Sequence, residues 1–373
     1  MSLFSFLRQR RRALRWVLIA LCGTCLTLLF TPPSPSQTLV NEGEFCEINT
    51  DTVDDARQGR SYGDPHINTY DGFHYSFQTL GEYILSKSED GSFEVQTRQE
   101  RVRERNNLSL NTAVAMNVCG DRVAIYVDGD DDTTLWVNGS PLEMADSAIA
   151  LEGNGEVQRQ GSGDYGIIWP SGDQIRVRSI TVAGDRFLNI MPLIRKEHRR
   201  EMMGLLGNYN KDPDDDLMGR DGTVVPAKST YSVATNVLDR ALPSVIPVSR
   251  LEDAYFDNLY RQFGDSWRVR QGESLFDYLP GQSTATFTNF EFPSQFFTLN
   301  QASPVQVQNA LDTCQAAGVE EELLDGCVFD VAATGQTSFA QAALNAVTDT
   351  LTRELQNRLI NEVQKIIPNI PFF

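Results

Sequence analysis

From Tyr62 to about Ile190 apolar side chains recur at every second position, and that period constrains the fold more than any other feature of the chain. Phe73, Tyr75 and Phe77 alternate with His74, Ser76 and Gln78, and Phe93, Val95 and Thr97 alternate with Glu94 and Gln96. Val114, Met116 and Val118 follow, then Val123, Ile125 and Val127. Successive side chains of a strand point to opposite faces, so each run reads as a strand with one face inward and its polar face toward water. Turn residues separate the runs. Leu135-Trp136-Val137 leads into Asn138-Gly139, a hairpin signal, and Pro170-Ser171-Gly172-Asp173 divides Ile167-Ile168-Trp169 from Ile175-Arg176-Val177. Strands at this spacing predict a mostly β protein, an antiparallel β-sandwich.

After Gly222 the texture changes. Residues 226–250 are Pro-punctuated and read as a loop over the sandwich, Leu251 to Phe263 as a short amphipathic helix, and 270–300 as irregular. Val305 to Ala317 and Val319 to Ala333 predict two short helices, so a small α-helical region follows the sandwich. Ser338 to Ile366 carries Leu344, Val347, Leu351, Leu355, Leu359 and Val363 on one stripe. The stripe suits packing on the preceding helices; the alternative presents Leu351, Leu355 and Leu359 to a partner.

Arg8 to Arg15 are basic, Trp16 to Phe30 form an apolar run of 15 residues, and Thr31-Pro32-Pro33-Ser34-Pro35-Ser36 is small and turn-forming. That order predicts a signal peptide over residues 1–36 and a chain that is secreted or displayed at the cell surface. The run is short of the roughly 20 residues that span a bilayer, so a membrane enters only if the segment is retained. The formal charge is −18, from 32 Lys and Arg against 50 Asp and Glu. This argues against nucleic-acid binding, which needs a basic surface, and fits an acidic protein that binds cations.

Beyond the signal the cysteines are Cys46, Cys119, Cys314 and Cys327. An even number in an exported chain predicts two disulfides. Four cysteines allow three pairings. Cys314 and Cys327 are near in sequence and share one region, so they are expected to pair, leaving Cys46 with Cys119. Four buried free thiols are the alternative. Beyond the signal no CxxC or HxxxH spacing points to zinc.

Two stretches carry most of the chemistry. The first is Gly63-Asp64-Pro65-His66-Ile67-Asn68-Thr69-Tyr70-Asp71-Gly72, the second Gly204-Leu205-Leu206-Gly207-Asn208-Tyr209-Asn210-Lys211-Asp212-Pro213-Asp214-Asp215-Asp216-Leu217. In this order and separation they resemble the von Willebrand factor type D domain, which opens with GDPH and an Asp-Gly turn and closes with a GLxGNxN element and an acidic run. The resemblance covers about residues 62–235. It departs at Leu206, where the family usually has Cys. Phe263-Gly264-Asp265-Ser266-Trp267-Arg268-Val269, Ser274-Leu275-Phe276-Asp277-Tyr278 and the stretch from Cys327 to Gly335 are similar to the segment that follows this domain in mucin-like and sushi-domain-containing surface proteins. The expected organisation is a lead-in over 37–61, the domain over 62–235, an extension on the sandwich over 236–300, and a helical Cys-containing region over 301–373.

Asn208, Asn210, Asp215 and Asp216 offer hard oxygen ligands within nine residues, and Asp71 adds a carboxylate from far away. Calcium takes six to eight oxygens in irregular geometry. Read alone, the run is equally a solvated acidic turn. The resemblance implies a calcium site of Asp71, Asn208, Asn210, Asp215 and Asp216, completed by a carbonyl near Pro213. Asp128-Gly129-Asp130-Asp131-Asp132 is no EF-hand, because Thr133 and Gly139 stand where that loop needs Gly and Glu; a solvated hairpin tip is expected.

The Asp64–Pro65 bond is the other chemical candidate. An Asp-Pro bond is acid-labile because the carboxyl can attack its own carbonyl carbon and the leaving group is a basic secondary amine. A fold that holds the carboxyl in place supplies proximity, and His66 supplies a proton donor. In the family, GDPH cuts itself in some members and not in others; the alternative is a tight turn with a fixed φ at Pro65. The remaining histidines, His74 and His198, are expected to be solvated. No Ser-His-Asp order or GxSxG elbow appears. The resemblance implies an exported, calcium-binding structural or adhesive module whose partners are extracellular proteins or copies of itself, or alternatively a self-processing protein whose only chemistry is at Asp64–Pro65. An enzyme acting on other molecules is not expected.

Overall fold

The computed structural model describes residues 43–49, 56–225 and 256–344, with gaps of one or two residues inside them. The expected signal peptide, the loop over 226–250 and the C-terminal stripe beyond residue 344 lie outside the described residues.

The described residues form sixteen strands, the alternating runs among them: β1 (Arg57–Gln58), β2 (Arg60–Tyr62), β3 (His66–Asn68), β4 (His74–Ser76), β5 (Gly81–Ser88), β6 (Phe93–Arg101), β7 (Ser109–Val118), β8 (Asp121–Asp128), β9 (Asp132–Val137), β10 (Ser140–Pro141), β11 (Ala148–Ala150), β12 (Glu156–Gly161), β13 (Asp164–Ile168), β14 (Gln174–Val182), β15 (Asp185–Ile194) and β16 (Met202–Met203). One sheet runs β11-β12-β13-β14-β15-β2-β3-β4, with β1 also on β15. The other runs β10-β9-β8-β7-β6-β5-β16. Neighbours are antiparallel, as hairpin connections allow. The Asn138-Gly139 turn joins β9 to β10 with φ of 50° and 80°, the pair of positive values that matches the twist of a two-residue hairpin. The acidic tip expected around residues 128–132 joins β8 to β9, with Asp128 opposite Asp132.

The principal core lies between the sheets. Phe93, Val95, Val114, Met116, Val123 and Ile125 meet Ile167, Ile175, Val177, Leu188 and Ile190 there. Trp169 seals one end, with its ring 4.4 Å from Phe93 and its indole N–H donating to the Asn117 carbonyl at 3.1 Å. This indole is buried with its one donor satisfied, so it adds contact area without an orphaned polar group.

Two strands depart from simple alternation, for one reason: both their faces are covered. On β15, Leu188, Ile190 and Ile194 enter the core between the sheets, while Phe187 and Met191 enter a second core on the outer face. That outer core is made with two helices, α1 (Pro304–Ala316) and α2 (Glu321–Thr334), through Val307, Cys314, Leu323, Cys327 and Val331. On β6, Glu94 and Gln96 were expected to face water, yet both are buried. The segment after residue 270 lies over them: Gln96 donates its amide to the Glu273 carbonyl at 2.8 Å and accepts from the Leu275 N–H at 2.9 Å. Small residues on the same face, Ala113, Ala115 and Ala124, make room for Leu275 and Phe276. Arg98 closes the lid. It pairs with buried Glu82 at 2.8 Å and lies 3.6 Å from the ring centroid of Phe287, a desolvated cation over an aromatic face.

Helix α1 starts at Pro304, one residue after Ser303, whose hydroxyl accepts from the Gln306 N–H while the Gln306 side chain accepts from the Ser303 N–H. This reciprocal cap with Pro in the first turn explains why the helix begins there. Part of the segment expected to be an amphipathic helix, Asp257–Gly264, is instead a π-helix, with Leu259, Tyr260 and Phe263 buried.

Candidate functional site

Strands β2 and β3 form a hairpin with Tyr62 opposite His66, and Gly63, Asp64 and Pro65 make its tip. Gly63 turns with φ 64°, where a side chain would be strained; its N–H donates to Asn189 Oδ1 of β15 at 3.1 Å. The Pro65 carbonyl accepts from the Phe77 N–H at 2.8 Å. The tip is therefore held from both sides, and it is buried. Asp64 is 0% exposed. Its Oδ1 stands 2.7 Å from His66 Nε2, its carboxylate shares a hydrogen bond with the carboxyl of Asp330, and no amide among the described residues donates to it.

His66 has a second partner. Its Nε2 also lies 2.6 Å from Oδ1 of Asp330, 264 residues further along the chain on α2. Burial alone would strip an imidazole of its proton. Here burial acts in that direction, and the two carboxylates Asp330 and Asp64 outweigh it, pushing His66 up to about 10. Asp330 is raised well above the usual carboxylate range, first by burial and then by the charge of Asp64. The group thus places a carboxyl and a proton store beside an Asp-Pro bond. Asp330 was not found from the sequence. One signal pointed to it: an acid on the same helical stripe as Leu323 and Cys327, where a charge needs a partner.

The second motif closes on the first. Both Asp71 carboxylate oxygens accept backbone N–H groups of the acidic loop, from Asn210 at 2.7 Å and Lys211 at 2.8 Å. Asn208 and Asn210 donate their amides to Asp215 at 2.9 and 2.8 Å. Asp216 accepts from the Thr69 hydroxyl at 2.5 Å, and Thr69 in turn accepts from the Phe73 N–H at 2.8 Å. All five residues expected to bind calcium are therefore gathered at one place from both ends of the domain. The Asn208 N–H faces the Asp216 carboxylate, but among the described residues no donor in hydrogen-bond geometry reaches its buried Oδ1; a Cβ on Gly207 would stand 2.1 Å from that oxygen, so the loop is shaped around it. Burial pushes Asp216 up to about 7, helped by the charges of Asp71 and Asp215. Asn208, Asn210 and Asp216 line an open cleft of ≈ 510 Å³. An all-oxygen set with one orphaned carboxylate oxygen, reached from a cleft, fits a hard cation.

Cys46 is bonded to Cys119 and Cys314 to Cys327, with Cα separations of 5.5 and 6.1 Å. The first ties the turn at Glu44–Cys46 to the β7–β8 connection, and the second ties α1 to α2. The expectation that His198 is solvated is wrong. It is buried, with Nδ1 2.7 Å from Asp173 and its ring 3.9 Å from Phe45. Its charged neighbours in sequence suggested a surface turn, but the segment carrying Phe45, drawn in by the Cys46–Cys119 bond, covers it. His74 is half-buried on β4.

Among the described residues no helix is long and apolar enough to cross a membrane. Residues 59–223 match the von Willebrand factor type D domain, and residues 281–354 match the repulsive guidance molecule (RGM) C-terminal domain. Human Sushi domain-containing protein 2 is 27% identical over 333 residues, covering 83% of this chain and 34% of that protein. Chicken SCO-spondin is 25% identical over 177 residues, covering 45% of this chain and 3% of its own length. Mouse Mucin-4 is 24% identical over 281 residues, covering 66% and 8%. The chain thus spans about a third of the first relative and less than a tenth of the other two. The relatives are secreted or cell-surface proteins, and two disulfides belong to the same oxidising space. The chain carries a von Willebrand factor type D domain over residues 59–223, and a disulfide-closed helical region follows it.

Proposed function

We propose that the protein is an extracellular structural module whose sandwich is clamped by a calcium ion at Asp71, Asn208, Asn210, Asp215 and Asp216, and which presents its surface to other extracellular proteins or to copies of itself. The observation that carries this reading is the meeting of Asp71 with the 208–216 loop around the buried, unpartnered Oδ1 of Asp216. When bound, the ion supplies the countercharge that three neighbouring carboxylates lack. Asp71 and Asn210 lie 139 residues apart, so a clamp here closes the domain end to end. No relative named above has an enzyme's name, which agrees with a structural role.

Thermal unfolding tests the clamp. Calcium at a hundred times its dissociation constant adds about 2.7 kcal/mol to a protein that binds it only when folded. The melting temperature is expected to rise with calcium, to fall with chelator, and to lose its calcium dependence in Asp216→Asn. A transition that ignores both calcium and chelator counts against the site.

A second reading is favoured by the buried Asp64–His66–Asp330 group: the turn cuts its own Asp64–Pro65 bond. Intact mass of reduced protein, incubated at mildly acidic and at neutral pH, is expected to show a break before Pro65 in the wild type and none in Asp64→Ala. An uncut full-length mass for both proteins would remove this reading and leave the structural one standing.

A further inference from the structure

We propose that Asp330 is a positioning residue for scission of Asp64–Pro65, so that the bond breaks only once α2 has docked on the β2–β3 turn. The inference rests on the second reading above. It adds a requirement that the GDPH stretch does not contain.

Three contacts carry it. Asp330 Oδ1 takes the His66 Nε2 hydrogen bond at 2.6 Å. Asp330 Oδ2 reaches the tip itself, 2.7 Å from where a Cβ on Gly63 would stand. One helical turn earlier, on the same face of α2, a Cβ on Gly326 would stand 2.6 Å from the Tyr62 hydroxyl and 2.9 Å from the His66 ring. The helix therefore lies on the turn with no room to spare, and Cys327, next to Gly326, is bonded to Cys314 on α1. The titratable and charged groups around His66 are Asp64, Asp330 and Tyr62, with Arg60 and Asp325 acting on Tyr62. The geometry suits proton handling better than a metal. Separations of 2.6 and 2.7 Å between His66 Nε2 and the two carboxylates are hydrogen-bond lengths, whereas two ligands of one tetrahedral ion stand about 3.3 Å apart.

The chemistry balances with these groups and water. A carboxylate oxygen of Asp64 bonds to the Asp64 carbonyl carbon, the bond from that carbon to Pro65 N breaks, and a five-membered anhydride remains. The departing nitrogen takes a proton from the His66 imidazolium and becomes a secondary amine. Water opens the anhydride to two carboxylates and releases two protons, one returning to His66 and the other going to the new amino terminus. Asp330 acts through His66 and not on the scissile bond. It keeps His66 charged and competes with Asp64 for the Nε2 proton, which weakens the hold of that proton on the Asp64 oxygen that attacks.

The test follows scission in the full chain, refolded from denaturant with its disulfides formed, by the intact mass of reduced aliquots over time and across pH. In the wild type the rate is expected to decline at high pH only as His66 loses its proton, near about 10. Asp330→Asn keeps the shape and removes the charge; it should slow scission about 100-fold and move the alkaline decline toward the ordinary imidazole range. Gly326→Ala keeps Asp330 and lifts the helix; it should slow scission about tenfold or more. That second variant serves if Asp330→Asn fails to fold, which melting curves report. Scission in a folded variant at the wild-type rate and with the wild-type pH limb overturns this inference alone. A wild type that never cuts overturns the scission reading, and this inference with it.

Discussion

Replacing Cys46 and Cys119 together by serine should lower the unfolding free energy by about 4 kcal/mol in a chain-entropy account of the cross-link. The bond joins residues 73 apart, and closing a loop of that length removes much of the freedom of the unfolded chain. The same relation gives about 3 kcal/mol for Cys314–Cys327, which closes 13 residues. The first loss should also have a local signature. Phe45 is 0% exposed and stacks on His198, so the variant should expose His198 and return its titration toward the ordinary range. Denaturant unfolding of oxidised wild type and variant measures the first effect, and the His198 ring resonances the second. An unchanged midpoint would mean that packing around Phe45, and not the cross-link, holds the N-terminal turn.

The second large effect is expected at His66. His66→Ala removes the only imidazole between two buried carboxylates, and stripping one partner from a buried charged group typically costs about 3–5 kcal/mol. The loss has a pH signature. His66 has its folded value raised from 6.5 to about 10, so its contribution is complete below 6.5 and disappears as pH rises through about 10. The wild type should therefore lose stability across that alkaline window. In His66→Ala the deficit should be greatest below the ordinary imidazole value and should shrink as pH rises through about 10, where the wild type loses the same contribution. Unfolding free energies across pH decide the matter, and a variant whose deficit is flat with pH would show that His66 acts there by volume alone.

These two sites show which parts of the molecule were legible in the sequence. The sandwich was, because period-two burial is a local property: Val114, Met116 and Val118 point inward whatever lies on the far side. So were the helices around Cys314 and Cys327, whose starts are set by local signals such as Ser303 and Pro304. What failed was any statement about an outer face. Glu94 and Gln96 looked like solvent residues because nothing nearby in sequence reveals that residues 273–276 lie over them. His198 failed for the same reason, hidden by Phe45 more than 150 residues earlier. The metal-binding candidates were recognisable because both motifs are compact, although only the fold shows Asp71 and Asn210 in contact. Asp330 was recognisable only as an oddity, an acid on an apolar stripe; its meaning depends on a partner 264 residues away.

The bridge between Cys46 and Cys119 has a mechanical consequence. Tension applied to the chain upstream of residue 46 passes through the sulfur atoms directly to residue 119 and bypasses the backbone between them. The tip at Asp64–Pro65 lies inside that shunt, so it carries no load. Whether its peptide bond is whole or broken, the pulled strand keeps the same covalent path until the bridge is reduced.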